Sequence, residues 1–139
     1  MTNTVRHPLY YKTDGAIGTM RGCKELMDSC RDPSAGKPIG NKTRLYHDDD
    51  YYYVELFGNR IMEIHPKHWV LYDGGWKTVT TKMRLNRYTP SSIVVYSKQG
   101  VWYVQTGFHI YARGVAKITN DKEFYDGMII PAYPLRIIE

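Results

Sequence analysis

Residues 43–72, TRLYHDDDYYYVELFGNRIMEIHPKHWVLY, decide the fold because apolar and polar side chains alternate along them in short runs. Alternation with a period of two is typical of strands that bury one face. Turn-forming residues at 48–50, 58–59 and 66–67 divide the stretch into predicted strands at residues 43–47, 51–57, 60–65 and 68–72. Such short connections cannot hold crossover helices, so the strands are expected to form an antiparallel meander.

The residues before this stretch have a different pattern. Residues 20–30 are predicted to form a short amphipathic helix, because Cys23, Leu26, Met27 and Cys30 recur at helical spacing. Residues 32–41 are rich in Pro and Gly and are expected to be a connection. The sequence therefore suggests a helical or loop extension at residues 1–42 and a β-rich core domain at residues 43–139.

A helix is also predicted in the second half. Residues 76–79 alternate as in a strand, Thr80 or Thr81 is a suitable N-cap, residues 82–88 favour a helix, and Pro90 ends it. Further strands are expected at residues 93–98 and 101–106, joined by Gln99-Gly100, and more weakly at 108–112, 116–119 and 124–130, with a turn at 120–122 and an extended edge from residue 131. The expected fold class is α+β: a twisted antiparallel sheet of about six to eight strands, an N-terminal helix, and one short helix after Thr81.

Length and composition exclude several classes of protein. The chain has 139 residues, of which 42% are hydrophobic and 24% charged. This composition is not that of a disordered protein, and the length is sufficient to bury a hydrophobic core. It has no apolar run long enough for a membrane span and no apolar start typical of a signal peptide. We therefore expect a soluble, cytosolic protein without membrane contact. Its two cysteines, Cys23 and Cys30, fit apolar core positions better than redox chemistry.

Positive charge is concentrated in the second half. Residues 1–75 carry ten acidic and ten basic side chains, whereas residues 76–139 carry nine basic and four acidic ones. No carboxylate side chain occurs between Asp73 and Asp121, and seven cations do: Lys77, Lys82, Arg84, Arg87, Lys98, Arg113 and Lys117. This window predicts a positive patch that attracts phosphates, although a merely solvated basic face has the same composition.

Several segments resemble a family of small, uncharacterised proteins of tailed bacteriophages. The resemblance lies in YVELFGNRIMEI at residues 53–64, GWKTVTTKMRLN at 75–86 and GVWYV at 100–104, and more weakly in FYDGMII. The family pattern, GW-x-T-x-TT-x-x-R-x-N, corresponds to Gly75, Trp76, Thr78, Thr80, Thr81, Arg84 and Asn86. The first forty residues fall outside it, and the early Pro90 shortens a helix that is longer in other members. The resemblance implies a phage accessory protein that acts in the cytoplasm of a host bacterium, and no established activity.

The start of the second predicted helix is the candidate site. A helix start offers unpaired N–H groups, to which Thr hydroxyls, an ammonium and a guanidinium add donors suited to phosphate oxygens. The predicted anion or nucleic-acid ligands are Trp76, Thr78, Thr80, Thr81, Lys82, Arg84, Asn86, Arg87, Lys98 and Trp102. In the alternative interpretation Thr81 only caps the helix, and Trp76 and Leu85 fill the core.

Other chemistry has weaker support. Thirteen tyrosines and three tryptophans suit base stacking, cross-strand packing or a subunit interface. Residues 47–50 could bind a divalent cation, but three aspartates in a turn are more typical of a solvated loop, and no Glu lies at the twelfth position of a calcium loop. His65 and His68 flank a turn and need not converge on a zinc ion, and no recognised nucleophile motif is present. We therefore expect no enzyme, metal or cofactor.

Three functions follow. The first is a phage accessory protein, used in host takeover or counter-defence, that binds nucleic acid or a phosphorylated nucleotide. The second is an inhibitor of a host protein or a sponge for a signalling nucleotide. The third is a structural or virion-associated protein. A homo-oligomer is possible in each.

Overall fold

A computed structural model describes residues 18–90, 92–110 and 116–131, and side chains throughout these ranges except at residues 108–110 and 116–119. Two α-helices, α1 and α2, occur at Met20–Asp28 and Val79–Tyr88 of the described chain. The nine strands in these ranges, β1 to β9, are Lys37–Gly40, Thr43–His47, Tyr52–Leu56, Asn59–Ile64, His68–Leu71, Ile93–Lys98, Val101–Ile110, Ala116–Glu123 and Met128–Pro131. The expected α+β class is confirmed.

The larger sheet has six strands in the order β1-β2-β3-β4-β5-β9. All its pairs are antiparallel, and β2 to β5 form the predicted meander. One face carries buried side chains such as Leu45, Val54, Met62 and Leu71. The strand β9 returns from the end of the described chain to pair with β5, so it is an edge strand of this sheet.

The remaining three strands form a second antiparallel sheet in the order β6-β7-β8. The helix α2 lies between the two sheets and contacts strands of both. Its buried residues are Thr81, Leu85 and Tyr88, at spacings of four and three that place them on one face. The Tyr88 hydroxyl donates to the Ile39 carbonyl of β1 at 2.9 Å, so the same face also ties α2 to the edge of the larger sheet.

The region before residue 43 packs against this core. Cys23 is fully buried and Met27 nearly so, as the helical stripe predicted. The connection expected at residues 32–41 is wrong in one respect, because residues 37–40 pair with β2 as strand β1. The division at residue 42 stays a prediction, and both α1 and β1 make contacts across it.

The strand expected at residues 76–79 is wrong. Gly74 and Gly75 have φ values of 69° and 90°, and the Trp76 amide donates to the Asp73 carbonyl at 3.1 Å, which folds this segment into a loop. The N-cap is Thr78, not Thr80 or Thr81, so α2 begins three residues before residue 82.

The strands near the end of the chain also differ from expectation. Pairing of β7 with β8 continues from Tyr103↔Glu123 to Ile110↔Ala116, so residues 120–122 lie in a strand and not in a turn. The strand expected at 124–130 begins only at Met128, after Phe124 has turned into the core. The expected strand at 108–112 is part of β7 as far as Ile110; residues 111–112 and the expected tail beyond residue 131 lie outside the described residues.

Asn86 of α2 covers part of the free edge of β6. Its amide nitrogen donates to the Val95 carbonyl at 2.7 Å, and its amide oxygen accepts from the Val95 N–H at 2.7 Å. Both backbone groups of an edge residue are thereby satisfied by one side chain, as a neighbouring strand would satisfy them.

Replacement of Asn86 by Ala should lower the free energy of unfolding by about 2 kcal/mol, because two backbone groups lose their partners. Urea denaturation measures the change. Asn59→Ala is the control, since the exposed Asn59 makes a single 3.4 Å contact with the Phe57 carbonyl; we expect it to cost less than about 0.5 kcal/mol. Equal losses in the two variants would contradict this role of Asn86.

Candidate binding surface

One N–H group at the N-terminus of α2 is occupied by the side chain of the helix's own N-cap residue. The Thr81 N–H donates to the Thr78 hydroxyl oxygen at 3.1 Å, and the two hydroxyl oxygens are also 3.1 Å apart. Thr81 is only 4% exposed, whereas Thr80 points to solvent. Of the three predicted threonine ligands, Thr78 and Thr81 thus act as a cap, and Thr80 remains accessible.

The cations of α2 lie on two flanks of the helix. The Lys82 ammonium donates to the Ser97 hydroxyl of β6 at 2.8 Å and lies 6.0 Å from the centre of the Trp102 ring. The Arg84 side chain turns the other way and donates to the Thr43 hydroxyl of β2 at 3.1 Å. At 100° per residue these two positions are about 160° apart around the helix axis. The structure therefore does not place the Lys82 and Arg84 side chains where both could contact one phosphate group.

The other predicted ligands have different surroundings. Trp102 is 5% exposed and packs against Phe124, with ring centroids 5.4 Å apart, so it belongs to the core. The guanidinium of Arg87 is exposed, 5.9 Å from the ring centre of Tyr88. Lys98 lies at the end of β6, on the sheet face opposite to Ser97, because successive strand side chains alternate. Asn86 is engaged with β6, as described above.

Three large apolar side chains point outward from α2 and the loop before it. Trp76 is 70% exposed, Val79 68% and Met83 59%. Val79 and Met83 are four residues apart and lie on one face of α2, opposite to Thr81, Leu85 and Tyr88. Trp76 lies in the loop, two residues before the N-cap Thr78. Sequence analysis singled out Trp76 and missed Val79 and Met83, for which their four-residue spacing was the available signal. We call this face the α2 surface: Trp76, Lys77, Val79, Thr80, Lys82, Met83 and Arg87.

A polar cluster that sequence analysis missed lies on the outer face of the larger sheet. Glu63 is 8% exposed and accepts hydrogen bonds from the Arg60 guanidinium at 2.8 Å and the Tyr72 hydroxyl at 2.8 Å. Its other oxygen is 2.7 Å from Nε2 of His65. A carboxylate among the apolar residues Ile61, Met62 and Ile64 was the available signal, but its partners lie at other positions of β4 and beyond the strand.

These contacts set the ionisation of the cluster. Burial by itself raises the pKa of Glu63, but hydrogen bonds from His65, Arg60 and Tyr72 outweigh it and hold that pKa below its usual value. Burial, followed by the hydrogen bond to Glu63, raises the pKa of Tyr72 to about 12. Glu63 is thus a buried anion whose oxygens are all engaged, and this fits a structural role better than acid–base chemistry.

The two histidines considered for metal binding stack instead. The His65 ring lies between those of Tyr51 and His68, with centroid distances of 4.3 and 4.2 Å. Burial and the neighbouring His65 lower the pKa of His68. In residues 18–90, 92–110 and 116–131, no three His, Cys, Asp or Glu side chains are grouped to hold a metal ion.

The position of Cys23 on the buried face of α1 also affects the ionisation of its thiol. Burial raises the pKa of Cys23 to about 12, which keeps its thiol protonated and poorly nucleophilic at neutral pH.

Neither helix of the described chain is long and apolar enough to cross a bilayer.

Comparison with known proteins identifies the family. Residues 34–131 match the model of the Kyanoviridae Gp96 protein family, a family of phage proteins. The chain therefore belongs to this family, which confirms the resemblance to phage proteins; the GW-x-T-x-TT-x-x-R-x-N pattern stays a prediction. The match begins within the first forty residues, which the resemblance had left out. No curated protein and no solved structure matches the chain.

Replacement of Glu63 by Gln should destabilise the protein by about 3 kcal/mol at pH 7, because Arg60 loses its charged partner. The folded-state pKa of Glu63 is lowered, so its stabilisation is present above the unfolded pKa near 4.5 and is lost as the pH falls through the folded value. Urea denaturation between pH 7 and pH 3 should show the gap between wild type and variant closing at the acidic end.

The control is Glu55→Gln, since Glu55 lies on the neighbouring strand of the same face, opposite Arg60 in the register. We expect it to change the free energy of unfolding by less than about 0.5 kcal/mol. A gap between wild type and Glu63→Gln that stayed constant with pH would contradict the ionised state assigned to Glu63.

Proposed function

We propose that this phage protein acts inside the infected bacterium as a binding protein for single-stranded nucleic acid, through the α2 surface. The observation that supports this most is the exposure of Trp76, an indole 70% accessible beside Lys77 and within the carboxylate-free window. Single-stranded nucleic acid is bound by surfaces that combine cations for the backbone with aromatic rings for the bases.

An extended strand fits the surface better than a single phosphorylated nucleotide. Thr78 already occupies the Thr81 N–H at the start of α2. Lys82 and Arg84 lie on opposite flanks, while Lys77 and Arg87 lie near the two ends of the helix. Cations spread over a face in this way suit a chain of phosphates, whereas a mononucleotide site needs donors that converge.

The second candidate is a protein-directed inhibitor that uses the same surface. Val79 and Met83 favour it, because aliphatic side chains at helical spacing are the anchors by which a helix enters a partner's groove. Nucleic-acid binding gives these two side chains no particular role. The nucleotide-sponge and virion-protein alternatives have no comparable support from the described residues.

Oligonucleotide affinity measured over a range of salt concentrations tests the first candidate. Log Kd should rise linearly with log salt, and Lys82→Ala should lower the slope by about 0.7, the contribution of one phosphate contact on a single strand. Trp76→Ala should weaken binding by about 1–3 kcal/mol with the slope unchanged, because a stacked base is lost and no charge. Fluorescence anisotropy with a labelled single-stranded oligonucleotide measures both.

Lys67→Ala is the matched charge control, since Lys67 is exposed in the turn between β4 and β5. It should leave the affinity and the slope unchanged. The double variant Val79→Ser, Met83→Gln separates the candidates: oligonucleotide binding should persist in it if the ligand is nucleic acid. Failure of the wild type to bind an oligonucleotide at low salt would overturn the first candidate and favour the second.

A further inference from the structure

The turn between β3 and β4 contains a residue type that is unusual in such turns. Leu56 ends β3 and Asn59 begins β4, so Phe57-Gly58 is a two-residue loop, with φ values of 52° and 79°. Hairpin loops with two positive φ values favour Asn, Asp or Gly, whose side chains tolerate the left-handed region. A bulky aromatic residue at the first position is strained, and strained backbone positions are concentrated at functional sites.

The fold makes little use of the Phe57 ring. The ring is 64% exposed, and among the described residues it takes part in no aromatic pair or cation–π contact. The Phe57 backbone does have a role, since its N–H donates to the Lys42 carbonyl at 2.9 Å. Any residue except proline supplies that N–H, so the backbone contact does not account for an aromatic side chain.

A groove adjoins this ring on the outer face of the larger sheet. It encloses about 200 Å³ and is lined by Lys42, Arg44, Tyr46, Glu55, Phe57 and Gly58. Pockets for drug-sized molecules measure roughly 300–1,000 Å³ and bury most of the ligand. A groove of this size instead accommodates one side chain of another macromolecule, and Phe57 is both one of its walls and a protruding ring beside it.

The rim of the groove carries both signs of charge. Lys42 and Arg44 are exposed and Glu55 is half-buried. Within the part of the chain that the structure describes, the side chains of Lys42 and Glu55 have no hydrogen-bond or ion-pair partner. Such a patch contains both members of each complementary pair, a protruding ring with a groove and a cation with an anion, as an isologous interface requires.

We propose that this patch binds a second copy of the chain. The Phe57 ring of one protomer enters the groove of its partner, and Lys42 of each protomer faces Glu55 of the other. The assembly is a reversible dimer formed by sheet faces. It leaves the α2 surface on a separate part of the molecule, so the proposal is independent of the nucleic-acid hypothesis.

Sedimentation velocity of the full chain over a range of protein concentrations tests the proposal. The wild type should show a reversible monomer–dimer equilibrium. Phe57→Asn should weaken the dimer by about 30-fold or more, the effect of losing a central anchor. The same variant, measured at a concentration where both proteins are monomeric, should melt about 5 °C higher because Asn relieves the backbone strain.

A charge exchange tests the two-fold arrangement. Glu55→Lys alone and Lys42→Glu alone each place like charges opposite one another twice in a homodimer, so each should be mainly monomeric. An equimolar mixture of the two variants restores both opposite-charge contacts and should dimerise. The melting temperatures of both variants check that they are folded.

Three results would overturn the proposal. They are a wild type that is monomeric at every concentration, a dimer that persists in Phe57→Asn, and a mixture of folded Glu55→Lys and Lys42→Glu chains that stays monomeric. A Phe57→Asn monomer that melts lower than the wild-type monomer would show that the ring packs for the fold and would equally count against it.

Discussion

Helix α2 is the element on which the rest of the architecture depends, because it alone among the described helices joins the two sheets through side-chain hydrogen bonds. Its Asn86 satisfies the edge of β6, and its Arg84 and Tyr88 reach β2 and β1. These contacts, together with the burial of Leu85, fix the rotation of the helix about its axis. A helix held on one face must present the other, so the exposure of Val79 and Met83 follows from the contacts of Asn86 and Tyr88.

The outer face of the larger sheet is shielded from water by its own side chains. This face has no α-helix over it among the described residues, yet Glu63 and Val70 are largely removed from water there. Neighbouring long side chains provide the cover: the Arg60 guanidinium lies 3.8 Å from the ring centre of Tyr53, and Tyr46 stacks on Tyr53 at 5.1 Å. Aromatic rings and a fully hydrogen-bonded carboxylate thus exclude water from this face, as an apolar layer of side chains does on the other face. Near Phe57 and Lys42 this cover gives way to an open groove.

The sequence was a good guide wherever burial alternates with period two. The strands β2 and β6 have the predicted bounds, and β3 to β5 differ from prediction by one residue at one or both ends. The predictions were wrong where the same residues are compatible with more than one secondary structure. Residues 76–79 alternate as a strand does, but two glycines with positive φ and an Asp73 turn place residues 76–78 in a loop, and Val79 begins α2. Pro38 and Gly40 disfavour a strand, yet β1 tolerates both because it is at a sheet edge.

The candidate site was less predictable because its geometry depends on tertiary contacts. A basic window in the sequence gives the number of cations, but it does not say that Lys82 and Arg84 diverge toward different sheets or that Trp102 is buried. Those facts require the position of α2 between its neighbours. Membership of the Kyanoviridae Gp96 family likewise places the chain among phage proteins and leaves the ligand to be established by experiment.

The central claim is that the outward face of α2 binds single-stranded nucleic acid while its inward face maintains the fold. Titration of the isotope-labelled protein with a single-stranded oligonucleotide, followed by NMR, separates the two faces residue by residue. The account predicts progressive shifts of the Trp76 indole and of the Lys77, Val79 and Met83 amides, with the Asn86 side-chain amide unmoved. Absence of shifts on α2, or shifts confined to the outer face of the larger sheet, would contradict it.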